Sequence, residues 1–182
     1  MDDESLIENL VESSIIYQGK LFNLRKNTVK LPNGKITDRD TLEHPGAVAI
    51  IPVIDDQIVL IRQFRQATGQ ILFEIPAGTL KNGEEPKNCA TRELKEETGY
   101  LADSLTLLFH CYLAPGYSTE ILYVFLATDL KQVGCETDPE EFIDVLIVKR
   151  EKALRMIYSN EIKDAKTICG ILTLQQLSPI QS

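Results

Sequence analysis

The residues of this chain that are spaced to do chemistry lie between Gly78 and Tyr100, in the segment GTLKNGEEPKNCATRELKEETGY. Glu93, Glu96 and Glu97 stand at i, i+3 and i+4, so a helix turning ~100° per residue places them on one stripe. Like charges at that spacing cost roughly 0.2–0.5 kcal/mol per pair in an isolated helix. Such a stripe is either a plain solvated face or a place where a counterion gathers carboxylate oxygens. A hard divalent cation is the natural counterion for the second case. Three neighbours favour it. Gly78 follows the strand-like run ILFEIPA (71–77), where the backbone must bend sharply. Pro86 suits a first helical turn, where its missing N–H is no loss. Arg92 is positioned to form a fork-like pair with Glu84 or Glu96 and hold the loop against the helix.

The segment resembles the Nudix box, G-x5-E-x7-R-E-U-x-E-E-x-G-U, where U is a bulky apolar residue. Gly78, Glu84, Arg92, Glu93, Leu94, Glu96, Glu97 and Gly99 fall on that pattern in register. Tyr100 departs from it, as an aromatic where an aliphatic is commoner. The resemblance implies that Glu93 and Glu97 bind catalytic magnesium (or manganese in its place), with Glu96 as a further ligand and catalytic carboxylate. It also implies that the Ala77 carbonyl joins the coordination shell. Gly78, Glu84 and Arg92 would brace the loop.

The elements needed to position this unit are legible on either side of it. Residues 2–12 read as a helix. LFNLRKNTVKL and KITDRDTLEH alternate apolar and polar residues around Pro32-Asn33-Gly34, a strong hairpin signal. AVAIIPVI, QIVLIRQF and ILFEIPA read as strands before the box, and SLTLLFHCYLA, ILYVFLAT and EFIDVLIV as strands after it. Residues 151–158 and 164–177 read as helices. Many strands with few intervening helices suggest an α+β layer fold, not a doubly wound parallel sheet. The resemblance sharpens this to an α/β/α sandwich around a mixed sheet over residues 44–182, with residues 1–43 as a small antiparallel β appendage. In the ADP-ribose branch of the family such an appendage forms a domain-swapped homodimer. A lone two- or three-stranded sheet is marginal in water and needs a partner surface.

Composition narrows the remaining classes. At 182 residues and 43% hydrophobic, the chain can bury a sizeable core. A formal net charge of −8 disfavours non-specific nucleic-acid binding, which needs clustered Lys and Arg. No apolar run approaches the ~20 residues of a membrane span, and the acidic start MDDESLIENL does not read as a secretory signal. The expected location is cytoplasmic. Cys89, Cys111, Cys135 and Cys169 show no zinc-ligand spacing and are expected to be free, mostly buried thiols. Cys89 reads as helix packing. His110, in TLLFHCYLA, reads as a core imidazole more readily than as a base.

Substrate choice lies outside the box. HPGAVAIIPV and QIVLIRQFRQATGQILFEIPAG, Pro115 placed 16 residues beyond Gly99, and EIKDAKTICGILTLQQL resemble the ADP-ribose and nucleoside-diphosphate-sugar branch. The expected reaction is magnesium-dependent hydrolysis of ADP-ribose to AMP and ribose 5-phosphate. Another nucleotide sugar such as ADP-glucose or GDP-mannose is the alternative substrate, and a non-catalytic sensor of nucleotide sugars is the rival class. Arg65 is a candidate phosphate clamp, Arg39 a candidate contact reaching a partner's site, and Glu74 and Arg62 further contacts. Each arginine is equally readable as a surface charge or a fold salt bridge. Relatives take their base from an acidic loop before the last strand, which nominates Glu141 and Glu140. Phe22 and Phe64 are candidates to stack a base.

Overall fold

The fold was obtained as a computed structural model, which describes residues 3–134 and 142–177. The chain divides into two compact units: residues 1–46 with 111–122, and residues 47–110 with 123–182.

The first unit is built on a three-stranded antiparallel sheet, β1 (Asn9–Gln18), β2 (Asn23–Lys30) and β3 (Ile36–Glu43), in the order β1-β2-β3. The turn between β2 and β3 carries Gly34 at φ 83, and Leu31 N–H donates to Lys35 O at 2.8 Å across it. The helix expected over residues 2–12 is not formed. Asp3–Leu6 makes one 3-10 turn, and the chain then extends into β1. Val11, Ile15, Ile16 and Tyr17 are branched or aromatic residues that suit a pleated ribbon, and pairing with β2 overrides the weak local helix signal. The segment 111–122 joins this unit through its tip: Leu42 N–H donates to Tyr117 O at 2.7 Å, and Thr119 N–H donates to Leu42 O at 3.0 Å.

The second unit carries a seven-stranded sheet. Its order is β10-β5-β4-β9-β8, with β6 on β5 and β7 on β4. The strands are β4 (Ala47–Ile54), β5 (Gln57–Arg65), β6 (Gln70–Glu74), β7 (Ala77–Thr79), β8 (Tyr100–Tyr112), β9 (Ile121–Gln132) and β10 (Ile143–Lys149). Three helices, α1 (Pro86–Thr98), α2 (Arg150–Tyr158) and α3 (Ala165–Leu177), complete the α+β sandwich. Strand β4 explains the layering. Residues 47–51 are all buried, as in a strand covered on both faces. Val48 and Ile50 point to one side and pack with Cys89, Ala90 and Leu94 of α1. Ile51 points to the other, where Gly170 of α3 comes so close that an added Cβ would lie 3.1 Å from Ile51 and 3.2 Å from Ile75. The strand expected over residues 71–77 is interrupted. Pro76 has no N–H for the ladder, so β6 ends at Glu74 and β7 starts afresh at Ala77 on a different neighbour.

Among the described cysteines only Cys89 is buried; Cys111 is half-buried and Cys169 exposed. His110 also departs from expectation. It lies on the exposed side of β8, its ring tilted against Tyr123 at 5.9 Å.

Candidate active site

The acidic segment folds as strand, loop and helix. Helix α1 opens on Pro86 and closes on Gly99, whose φ of 73 suits a residue without Cβ, and whose N–H returns to Lys95 O at 2.9 Å. Its core face is Cys89, Ala90, Leu94 and Thr98, and Glu97 belongs to that same buried face at 4% exposure. The three carboxylates therefore do not share one environment. Glu97 and the largely covered Glu93 line the seam against β7, whereas Glu96 sits at its more open margin.

Each carboxylate in the seam has a specific reason to be there. Glu97 Oε2 accepts the Ala77 N–H at 2.9 Å, which offsets part of the cost of burying a charge. Glu93 lies against Gly78 so tightly that a Cβ at that position would fall 1.9 Å from its Cδ and 2.0 Å from its Oε1. Glycine is required at position 78 for close approach, which is more specific than a general need to turn.

Arg92 ties the unit together. Its Nε and Nη2 donate to Glu84 Oε1 and Oε2, both at 3.0 Å, as a two-pronged pair. Its Nη1 reaches Glu93 Oε1 at 2.5 Å and Glu96 Oε2 at 3.0 Å. Glu84 also accepts the Lys81 N–H at 2.9 Å, so this carboxylate clamps the loop from inside. The Arg92 hydrogen bonds hold the Glu84 carboxyl down at about 2, against the opposing effect of burial. The same contacts, led by Glu84, raise the Arg92 guanidinium above its ordinary range. Cys89 accepts a contact from Arg92 Nη2 at 3.3 Å, and burial pushes its thiol up to about 12, so it stays a packed, neutral group.

The donor set suits a hard divalent ion, since three carboxylates and a main-chain carbonyl are all oxygen ligands. Among the described residues no three His, Cys, Asp or Glu side chains already converge into a cage. Glu93 and Glu96 are drawn to Arg92, and Glu97 to the Ala77 amide.

A second cluster adjoins this seam. Arg65 Nε and Nη2 donate to Glu74 Oε1 and Oε2, both at 2.8 Å, and Lys166 also contacts Glu74, which is 1% exposed. Burial raises the Glu74 carboxyl, but the Arg65 and Lys166 contacts outweigh it and leave it below its usual range. Arg65 is raised chiefly by Glu74 and further by Glu97, which places it in the field of the acidic seam. Arg62 pairs with Asp144 at 3.1 Å across β5 and β10. Arg39, in the first unit, pairs with Glu8 at 2.7 and 3.1 Å. Phe64 is exposed on β5, and Phe22 stacks obliquely on Tyr17 at 6.3 Å. Glu140 and Glu141 lie outside the described residues. Sequence reasoning did not single out Lys166, Thr167 or Asp164. Asp164 did carry a signal, as an Asp directly before a helical run, three ahead of the Thr167 N–H that it accepts at 3.0 Å.

Comparison with known proteins shows the family of the chain. The family model described as NUDIX domain matches residues 43–169. The chain belongs to the NUDIX family. Hydrolases of this family generally use divalent metal ions, in keeping with the oxygen-rich seam. Among curated relatives, the NUDIX chain is 42% identical over 182 residues to an ADP-ribose pyrophosphatase of Bacillus subtilis (strain 168), covering 98% of each. It is 35% identical over 171 residues to a methanol dehydrogenase activator of Bacillus methanolicus, covering 92% of each. A solved structure described as an ADP compounds hydrolase matches with a TM-score of 0.84 over 95% of each chain, at 23% identity, which establishes the shared NUDIX fold.

Proposed function

We propose that this NUDIX pyrophosphohydrolase cleaves ADP-ribose with water to give AMP and ribose 5-phosphate, using magnesium, with manganese as a substitute. The observation that carries the reading is the Gly78–Glu93 and Ala77–Glu97 seam tied by Arg92 to Glu84, in a chain alike over nearly its whole length to an ADP-ribose pyrophosphatase. Glu93, Glu96, Glu97 and the Ala77 carbonyl would hold the ion. When bound there, a divalent cation supplies Lewis acidity, drawing charge from the pyrophosphate oxygens. The residues around it do the rest. Gly78 lets the Glu93 carboxylate approach the loop, while Arg92 and Glu84 keep loop and helix from separating. Arg65 spends Nε and Nη2 on Glu74, and its Nη1 is the group assigned to a phosphate oxygen. Glu74 contributes by aiming that guanidinium. Glu141, with Glu140 as its alternate, takes the proton of the attacking water.

We further assign residues 1–43 as a dimerising β appendage attached to a hydrolase domain of residues 44–182, in a cytoplasmic homodimer. All ten residues of β1 are exposed in the single chain, among them Leu10, Val11, Ile15, Ile16 and Tyr17. That is more apolar surface on one strand than a monomer ordinarily leaves to water. Arg39 then serves the partner's site.

The test is kcat/KM with magnesium over a panel containing ADP-ribose, ADP-glucose and GDP-mannose. ADP-ribose is expected to lead. A preference of ~100-fold for another nucleotide sugar overturns the substrate assignment, and binding without turnover of any of them overturns the enzyme reading.

A further inference from the structure

The Ala77 carbonyl assigned to the metal opens β7, directly after a short bridge, Ile75 and Pro76, between two strands that pair with different neighbours. Its direction therefore depends on what clamps the bridge. Just past the bridge the Ala77 N–H donates to Glu97 Oε2 at 2.9 Å. Within it the Pro76 carbonyl accepts the Ile50 N–H at 2.8 Å. At its start the Ile75 N–H donates to Thr167 Oγ1 at 2.8 Å, a contact between residues 92 positions apart.

Thr167 is wholly buried. Its hydroxyl donates to Asp164 Oδ2 at 2.6 Å, so the protons run in one order, from amide to hydroxyl to carboxylate. Asp164 Oδ1 pairs with Lys166 at 3.0 Å, and Lys166 reaches Glu74, the residue before Ile75. The first turn of α3 thus holds the start of the bridge through the Thr167 hydroxyl and the residue before it through Lys166.

We propose that Thr167, oriented by Asp164, is a positioning residue for the divalent-metal site. It fixes the path of Ile75–Ala77, and with it the Ala77 carbonyl and the amide that holds Glu97. This inference rests on the metal role assigned above to Ala77 and Glu97. The hydroxyl touches neither metal nor substrate; it acts through one backbone amide, as outer-shell partners orient ligands in other metal sites.

The experiment is a titration of the intact protein with Mn2+, following free ion by electron paramagnetic resonance, on wild type, Thr167→Val and Thr167→Ser. Thr167→Val keeps the volume and removes the hydroxyl. It is expected to weaken Mn2+ binding about 10-fold, with kcat at fixed subsaturating metal falling in step and the ADP-ribose KM moving less than about twofold. Thr167→Ser, which keeps the hydroxyl, is expected to bind as wild type does. Unchanged Mn2+ affinity in a folded but less stable Thr167→Val protein overturns the inference and leaves the metal assignment standing. A wild-type protein that binds no Mn2+ overturns both. Should Thr167→Val not fold, Asp164→Ala, which removes the acceptor that aims the hydroxyl, is read in the same way: weakened binding supports the inference and unchanged binding overturns it.

Discussion

At the scale of single residues, the site separates charge from geometry. Glu97 is buried, accepts a backbone N–H, and sits in the field of Arg65. Glu97→Gln keeps the volume and an oxygen for the Ala77 amide but removes the negative charge. The protein is expected to keep its circular-dichroism spectrum and lose more turnover than the roughly 100-fold that outer-shell changes cost. Undiminished divalent-dependent hydrolysis in this variant removes Glu97 from the metal site. Glu84 makes a different prediction, because its role is to brace. Its carboxyl is lowered from 4.5 to about 2, first by Arg92. A folded value below the unfolded one means that the stabilisation is fully present above about pH 4.5 and is lost as pH falls towards 2. Replacing Glu84 with Gln should lower the melting temperature at neutral pH and flatten its decline across that acid window. A parallel downward shift at every pH would show that the Glu84 charge is not the source.

At the scale of elements, α1 has two jobs on one surface. Cys89, Ala90 and Leu94 bury against Val48 and Ile50, and the same orientation turns Glu93 and Glu97 onto β7. Packing energy from the apolar side holds the carboxylates in a seam that their mutual repulsion would otherwise open. Leu94→Ala should cost about 3 kcal/mol, as other buried leucine truncations do, read as a lower denaturation midpoint in urea. Activity well below the transition should stay within a few-fold, since the ligands and Arg92 remain. A loss of activity with unchanged stability would mean that Leu94 acts on the chemistry directly. Helix α1 was readable in the sequence because its cues are local: Pro86 in the first turn, and Glu93, Glu96 and Glu97 at i, i+3 and i+4. Strand β1 was not, because its signal is pairing with β2, which no stretch of twelve residues contains.

For the molecule as a whole, the question is whether the first unit is needed for the chemistry. With β1 exposed along its full length in the single chain, a second copy is the proposed cover. Deleting residues 1–43 should give a monomer by light scattering and abolish most turnover, while hydrolysis by a folded, monomeric truncation would show that the appendage is dispensable. The tip 111–122, which carries Pro115, clusters with this first unit through Leu42, so truncation removes its β3 partner as well.

The sequence by itself determined the family and the reaction class, because the pattern that marks the family stands at fixed offsets that any reader of 23 residues can see. It also determined most strands, where a period of two or a continuous apolar run is a local record of burial. Only the tertiary structure decided how the acids divide, with Glu97 and Glu93 in the seam and Glu96 at its margin, and that Arg65 is committed to Glu74. It alone joined Thr167 to Ile75, since a hydrogen bond between residues 92 apart leaves no periodicity in the chain. Local order follows from backbone geometry, whereas such long-range partners are chosen by how the layers pack.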